Sequence, residues 1–265
     1  MQFYPAATVD EVIERLNKII EEAISNNDPI GFFPALYVVV TEKVRDAIRA
    51  GNIFEDSWRM EKLDVIFANR YLEAYHQYKH GKKPSASWNA AFRMAQNGKK
   101  QLILQHLLMG MNAHINLDLG IAAAESGSPD KIKTLHADFF AINKLLFDLV
   151  DEVKSDLECF SPRFRFIMNL LSNEDAILEF SISMARDAAW DFAQNLALES
   201  ENSRTELIKH RDKESLAYAK LIHRPGLIGS LIIWWVRRKE SQNVAGIISD
   251  LRNNYGHTLN FAKHS

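Results

Sequence analysis

The chain has 265 residues, of which 47% are hydrophobic and 25% charged, so it has room for one large hydrophobic core or two small ones. The formal net charge of −2 gives no global attraction for nucleic acid or for an anionic membrane, and neither partner is expected. The single cysteine excludes an intrachain disulfide and a cysteine-based metal site.

Helix start and stop signals recur along the whole chain and predict an all-α protein. Its N-terminal sequence MQFYPAATVDEVIERL lacks the basic and apolar stretches of a signal peptide, so a cytoplasmic location is predicted. Thr8 and Glu11 have capping-box spacing, and Gly51 is placed to end the second helix. The predicted helices lie at about 8–27, 34–51, 55–80, 86–96, 99–125, 129–156, after Pro162, 173–199, from 203 to the HRPG sequence, 227–239 and 242–254.

No linker, low-complexity segment or fixed-period repeat interrupts these helices, so residues 1–265 are predicted to form a single domain. We expect one irregular bundle of about ten helices around a central, buried helix that carries polar residues. The most apolar run, LIGSLIIWWV at 227–236, is too short to cross a bilayer and predicts a buried helix. Contact with a membrane surface is disfavoured, although the basic sequence RRK follows directly.

The sequence LMGMNAHINLDLG, at 108–120, places polar residues in an otherwise apolar helix. Apolar side chains point in every direction around its axis, which predicts that other helices surround it. Buried polar groups must find hydrogen-bond partners or a metal ion, so these residues belong to a network. They fall into two roughly opposite stripes, one with His106, Gly110, His114 and Asp118 and the other with Asn112 and Asn116.

His114 and Asp118 are four residues apart, about 6 Å along the helix axis, and both can approach one ion or one proton. Imidazole and carboxylate are ligands for zinc, iron or manganese. One interpretation is therefore a metal or acid–base site, and the other is a structural network that fixes the position of the helix. Gly110 leaves room on the same face for a ligand, a water molecule or a close-packed neighbour.

Further candidates come from the neighbouring helices. His136 opens the next predicted helix, and the short connection SGSPD is expected to bring it near Asp118 as a third ligand or acid–base partner. In LDVIFANRYLEAY, Asp64 and Tyr71 share a face, while Arg70 interrupts apolar neighbours. A buried ion pair and a substrate contact are both consistent with that pattern.

The segment MARDAAWDFA allows the same two interpretations, a buried ion pair or a substrate contact. Arg186 and Trp190 share one helix face, and Asp187 and Asp191 are likewise four residues apart. The chain contains no phosphate-binding loop of the Walker type, no nucleophile elbow Gly-x-Ser-x-Gly and no His-Glu-x-x-His zinc motif. Hydrolases of those kinds are therefore not expected.

The sequence QHLLMGMNAHINLDLGIA resembles an uncharacterised bacterial family, a domain of unknown function marked by His-Ile-Asn-x-Asp-Leu. LDVIFANRYLEAY and ASWNAAFRMAQ before it and LHADFFAINKLL after it extend the resemblance over about Trp58 to Leu146. The resemblance implies an all-helical domain and a bacterial origin. It supplies no activity, ligand or catalytic residue.

Two functions remain open on these observations. The convergence of ionisable groups favours a small-molecule enzyme, with a divalent transition metal (zinc, iron or manganese) as a possible cofactor. The alternative is a non-catalytic helical module that binds a small apolar or amphipathic molecule, or a protein, with the polar residues as a core network. The predicted metal ligands are His114, Asp118, His136 and Asp64, and the predicted catalytic residues are His106, Tyr71 and Arg186.

Overall fold

The computed structural model describes residues 2–97, 101–163 and 174–253 of the chain. Within these residues the chain forms eleven α-helices, which confirms the predicted all-α fold. The helices are α1 (Val9–Asn26), α2 (Phe32–Ala50), α3 (Ser57–Lys79), α4 (Ala86–Asn97), α5 (Ile103–Ala113), α6 (Gly120–Glu125), α7 (His136–Phe160), α8 (Glu174–Leu198), α9 (Glu201–His223), α10 (Gly226–Arg237) and α11 (Val244–Asn253). Turns of 3-10 helix precede α2 and α7.

The capping signals explain several of these boundaries. The Thr8 hydroxyl accepts a hydrogen bond from the backbone N–H of Glu11 at 3.2 Å, as its spacing predicts. Gly51 ends α2 with a φ of 67°, in the left-handed region that glycine adopts without strain. The predicted start of α9 at Ser203 is two residues late, because Ser200 provides the N-terminal cap and Glu201 begins the helix.

The region after residue 125 departs from the prediction. The helix predicted over 129–156 consists of a 3-10 turn, Pro129–Leu135, followed by α7. This turn lies directly before the first α-helical residue, His136. The short helix predicted after Pro162 lies outside the described residues beyond Arg163.

One long helical segment, residues 103–125, runs between two clusters of buried apolar side chains. We call it the central helix; it consists of α5, a π-helical turn at His114–Leu119 and α6. It packs against α2, α3, α4, α8 and α9. The predicted central, buried helix is therefore confirmed.

The π-helical turn was not predicted from the sequence. Its hydrogen bonds join residues five apart, which displaces carbonyl groups from the ordinary α-helical pattern. The carbonyl of Asn116, inside this turn, accepts a hydrogen bond from Arg211 Nε at 2.6 Å. A side chain of α9 thus stabilises the turn that carries the His-Ile-Asn-Leu-Asp-Leu sequence.

The prediction that LIGSLIIWWV is a buried helix was wrong. In α10, Leu227, Leu231 and Trp234 are 87%, 67% and 57% exposed, and Val236 is the only buried residue of the twelve. Its apolarity predicted burial, but most of its large apolar side chains are exposed, while the Trp234 and Trp235 rings contact the guanidinium groups of Arg238 and Arg163. Among the described residues, no helix combines the length and apolarity that crossing a membrane requires.

Candidate functional site

Asp118 is the most deeply buried charged group of the central helix, at 1% exposure. Its Oδ1 accepts a hydrogen bond from Arg70 Nε at 2.8 Å, and its Oδ2 accepts one from the Trp88 indole at 2.7 Å. Burial by itself would raise the pKa of Asp118, but the Arg70 guanidinium and these hydrogen bonds hold it below its ordinary value. The carboxylate is therefore ionised and joins α3, α4 and the central helix.

The position of Trp88 is fixed by a cap on α4. The Asp212 carboxylate, on α9, accepts hydrogen bonds from the backbone N–H groups of Ala86 and Ser87 at 2.6 and 2.9 Å. It also accepts one from the Ser87 hydroxyl at 2.7 Å. A carboxylate at a helix N-terminus satisfies free N–H groups and interacts favourably with the helix dipole. Asp212 thereby holds the indole against Asp118.

His114 is packed as an aromatic ring. Its imidazole stacks on Phe67 with centroids 3.5 Å apart, and the edges of Tyr37 and Phe33 approach it at 4.3 and 5.5 Å. Both ring nitrogens are buried and have no hydrogen-bond partner among the described residues, and Asp118 Oδ2 lies 3.9 Å from Nδ1. Burial lowers the pKa of His114 despite the opposing effect of Asp118, so the imidazole is neutral.

Phe33 fills the space beside Gly110. A Cβ atom at position 110 would lie 2.4 Å from the Phe33 ring, so only glycine allows this close approach. Of the three occupants that the sequence allowed there, the structure contains the close-packed neighbour. The remaining cavity, between His106 and Tyr71, measures about 20 Å³, which is room for little more than one water molecule.

The opposite stripe of the central helix forms a complete hydrogen-bond network with α9. Asn112 Nδ2 donates to the carbonyl of Ser215 at 2.9 Å and lies 3.2 Å from its hydroxyl oxygen. Asn116 Nδ2 in turn donates to Asn112 Oδ1 at 3.0 Å. The two stripes predicted from the sequence thus face different helices.

His136 and Arg186 do not lie beside His114 but contact aromatic side chains of α7 and α8. His136 is exposed, with its ring against Phe140 and Trp190 at 4.7 and 5.2 Å. Buried Arg186 donates a hydrogen bond to the Phe139 carbonyl and covers the Phe139 ring at 4.6 Å. Burial lowers the pKa of Arg186 to about 10. The short SGSPD connection was expected to bring His136 to Asp118, but the 3-10 turn that follows leads it elsewhere.

Asp64 and Tyr71 are buried on α3 beside Tyr37, which packs on His114, yet neither completes a metal site. In the described part of the chain, neither Asp64 Oδ2 nor the Tyr71 hydroxyl has a hydrogen-bond partner. Burial, with a smaller effect of Glu61, raises the pKa of Asp64 to about 7. Within the described ranges, no three histidine, cysteine, aspartate or glutamate side chains are arranged to bind a metal ion.

His106, the other predicted catalytic residue, lines a separate pocket of about 460 Å³. Gly110 lies between His106 and His114 on the face of the central helix, and the Phe33 ring of α2 packs against it. The Glu240 carboxylate borders the same pocket and accepts a hydrogen bond from the Ile103 backbone N–H at 3.3 Å. Burial raises the pKa of Glu240 to about 7, against the effect of Arg237.

An apolar groove lies along another side of the central helix, between α2, α7 and α8. Its volume is about 210 Å³, and Lys154 is the one charged side chain among the described residues that line it. The other lining residues are Leu36, Val40, Leu104, Leu107, Leu108, Met111, Ile115, Leu146, Leu149, Val153, Leu157 and Ile182. The lining of the groove is almost entirely apolar.

Sequence reasoning missed the residues that surround His114 and Asp118. Trp88 lies in the segment ASWNAAFRMAQ. Because a buried indole N–H needs an acceptor, its presence could have predicted a hydrogen bond to a buried polar group. Phe33 and Phe67 gave no comparable signal, because apolar side chains on amphipathic helices are expected in any core.

Fold and site together define an all-α protein whose central helix is held by a buried aspartate on one side and two asparagines on the other. Residues 9–225 match the model of a family described as a family of unknown function (DUF5995), and the chain belongs to that family. This confirms the predicted resemblance to an uncharacterised family. Among curated proteins and among solved structures, no match was found. The matched region includes the central helix and ends one residue before α10.

Proposed function

We propose that the protein binds a small apolar or amphipathic molecule in the groove between α2, α7, α8 and the central helix. The observation that carries this proposal is the lining of the groove, in which twelve of thirteen side chains are apolar. Exposed apolar concavities are typical of sites that bind ligands, since leaving them in water is unfavourable.

The volume and charge of the groove define a class of ligand. A cavity of about 150 Å³ lined by aliphatic side chains accommodates a molecule the size of benzene. The groove is somewhat larger, at about 210 Å³, and Leu108 at its rim is partly open to solvent. Lys154 adds a single cation to this lining, and its aliphatic stem can cover apolar surface. A medium-chain carboxylic acid fits both features.

The polar residues of the central helix have a structural role in this proposal. Asp118, through Arg70, and Asn112, through Ser215, restrain the rotation of the helix about its axis. Rotation of the helix would turn its apolar groove stripe, including Leu107 and Met111, towards other neighbours. The buried network thus specifies the wall of the binding site.

Isothermal titration calorimetry of the full chain with decanoate tests the proposal. We expect saturable binding, and we expect Val40→Phe to weaken it about tenfold or more, because the larger ring fills the groove. Decan-1-ol, which has the same chain without the charge, should bind more weakly if its head group lies near Lys154.

Val65→Phe is the matched control, because Val65 is also a partly buried core valine but does not line the groove. It should leave decanoate binding unchanged. Absence of binding by both decanoate and decan-1-ol would contradict the proposal. Equal weakening by the two substitutions would contradict it as well, since the effect would then come from general repacking.

A second candidate function is proton-transfer catalysis at His106, favoured by the raised pKa of Glu240 in the same pocket. General acid–base chemistry requires a proton donor or acceptor within reach of a bound substrate, and both side chains line this pocket. Saturation-transfer NMR with a panel of small carboxylic and phosphate compounds tests this candidate. A bound compound whose signal is lost in both His106→Gln and Glu240→Gln supports it, and no bound compound counts against it.

A metal-assisted form of this enzyme would use zinc, iron or manganese at His114 and Asp118. Both Asp118 oxygens already accept hydrogen bonds, and the described residues supply no third ligand. Elemental analysis of the purified protein tests this form: stoichiometric metal that is lost in His114→Ala would support it. We also propose a cytoplasmic location, because the lone Cys159 is an exposed free thiol, as is usual in reducing compartments.

A further inference from the structure

The α10 helix presents its apolar residues to solvent rather than to the core. At about 100° per residue, six large apolar side chains fall within a stripe about 160° wide. The opposite side contains Gly229 and the single buried residue, Val236. The stripe consists of Leu227, Ile228, Leu231, Ile232, Trp234 and Trp235, which are between 37% and 87% exposed.

Basic residues lie on both sides of this stripe in the sequence. No aspartate or glutamate occurs between Glu214 and Glu240. The Arg238 guanidinium lies 4.8 Å from the Trp234 ring, so a cation borders the apolar surface directly. Tyr218 and Leu221, near the end of α9, are exposed as well. The basic residues of this region are Lys220, Arg224, Arg237, Arg238 and Lys239.

We propose that α10 lies flat on the surface of a lipid bilayer that contains anionic lipids. Leucine and isoleucine side chains would enter the acyl region, while Trp234 and Trp235 would occupy the boundary where indole rings are enriched. The cations at both ends would meet lipid phosphates. With twelve residues the helix is about 18 Å long, so it can lie on a bilayer but is too short to cross it.

The charge pattern favours a bilayer over a second copy of the chain. Antiparallel pairing of two α10 helices would bring Arg224 of each copy near Arg238 and Lys239 of the other, and these like charges repel. An anionic surface instead attracts the exposed cations Arg224, Arg238 and Lys239. The overall charge of −2 does not oppose local binding, because charges farther away than about 8–10 Å are screened.

Co-sedimentation of the full chain with lipid vesicles tests the proposal. We expect binding to vesicles of equimolar phosphatidylcholine and phosphatidylglycerol, and about tenfold weaker binding to phosphatidylcholine alone or at high salt. The double substitution Leu231→Gln and Trp234→Gln should also weaken binding about tenfold, because it removes apolar surface without changing the charge.

The matched control is Leu198→Gln with Trp58→Gln, since these two side chains are 74% and 73% exposed elsewhere on the surface. It should bind vesicles like the wild type. No binding to either vesicle, or equal binding by the α10 variant and the wild type, overturns the proposal. Sedimentation equilibrium adds a separate outcome: a dimer that the α10 variant converts to monomer, without vesicle binding, assigns the stripe to a second copy instead.

Discussion

The two polar faces of the central helix solve the problem of burial in different ways. On the asparagine face, Asn112 and Asn116 hydrogen-bond to each other and to Ser215 across the interface with α9. On the histidine face, Asp118 is fully hydrogen-bonded, whereas the His114 nitrogens have no partner and the ring is enclosed by aromatic side chains. One face depends on hydrogen bonds, and the other combines one ion pair with aromatic packing.

This difference separates the residues that hold the helix from those that only fill space. A buried group with all its partners fixes the arrangement of the elements that it joins, because each alternative leaves a polar atom unsatisfied. Asp118 and Asn112 meet that condition, and His114 does not. Substitutions on the two faces should therefore differ in size and in pH dependence.

The largest effect is expected for Asp118→Ala. It leaves the Arg70 guanidinium and the Trp88 indole without their acceptor, and removing one member of a buried ion pair costs about 3–5 kcal/mol. We expect the free energy of unfolding to fall by about 3 kcal/mol, the low end of this range, because the Arg70 side chain is 29% exposed and partly reaches water. Urea unfolding followed by circular dichroism measures it.

Asp46→Ala provides the control for Asp118, since Asp46 forms an exposed pair with Arg45. It should change the free energy of unfolding by less than about 1 kcal/mol. If the two substitutions cost the same, Asp118 does not hold the helix, and the comparison between the faces fails.

An intermediate effect is expected at His114. His114→Ala leaves a cavity among Phe33, Tyr37 and Phe67 and should cost about 2–3 kcal/mol. His114→Phe keeps an aromatic ring and should cost less than about 1.5 kcal/mol at pH 8. The same urea experiment, repeated at pH 8 and at about pH 5, measures both variants.

The free energy of unfolding of the wild type and of His114→Phe should depend differently on pH. Burial lowers the pKa of His114 in the folded protein below 6.5, so the unfolded chain takes up the proton first as the pH falls. His114 therefore contributes a loss of stability below pH 6.5 that His114→Phe lacks, so the difference in free energy of unfolding between the two proteins changes with pH. A Phe variant with the same pH dependence as the wild type would show that His114 is already charged or solvated in the folded protein.

Much of the fold could be predicted because helical signals are local. The Thr8 cap, the Gly51 stop and the apolar circumference of the central helix depend on residues within a few turns of each other. The exposure of α10 could not be predicted, because an apolar run has the same sequence whether it faces a core or a partner. The π-helical turn depends on Arg211 of α9, which is distant in sequence.

Part of the candidate site could be predicted as well. The spacing of His114 and Asp118 placed both on one face, and Asp118 supplies the carboxylate that an arginine among apolar neighbours needs, here the partly buried Arg70. The expected approach of His136 was wrong, since connection length does not specify the direction of the next helix. The closure of the site by Phe33 depends on packing between α2 and Gly110, and such long-range contacts have no local signature.

The smallest effect is expected for Asn112→Ala on the asparagine face. It removes the hydrogen bonds to Ser215 and Asn116 but no charge, so we expect a cost of about 1–2 kcal/mol with no pH dependence between pH 5 and about pH 8. A double-mutant cycle with Ser215→Ala isolates the interaction between the two side chains, because Asn112 also bonds to the Ser215 backbone, which that substitution retains. A coupling energy near zero would mean that the backbone contact alone fixes this face. A cost equal to that of Asp118→Ala would remove the distinction between the faces, since amide and ionic anchors would then hold the central helix equally.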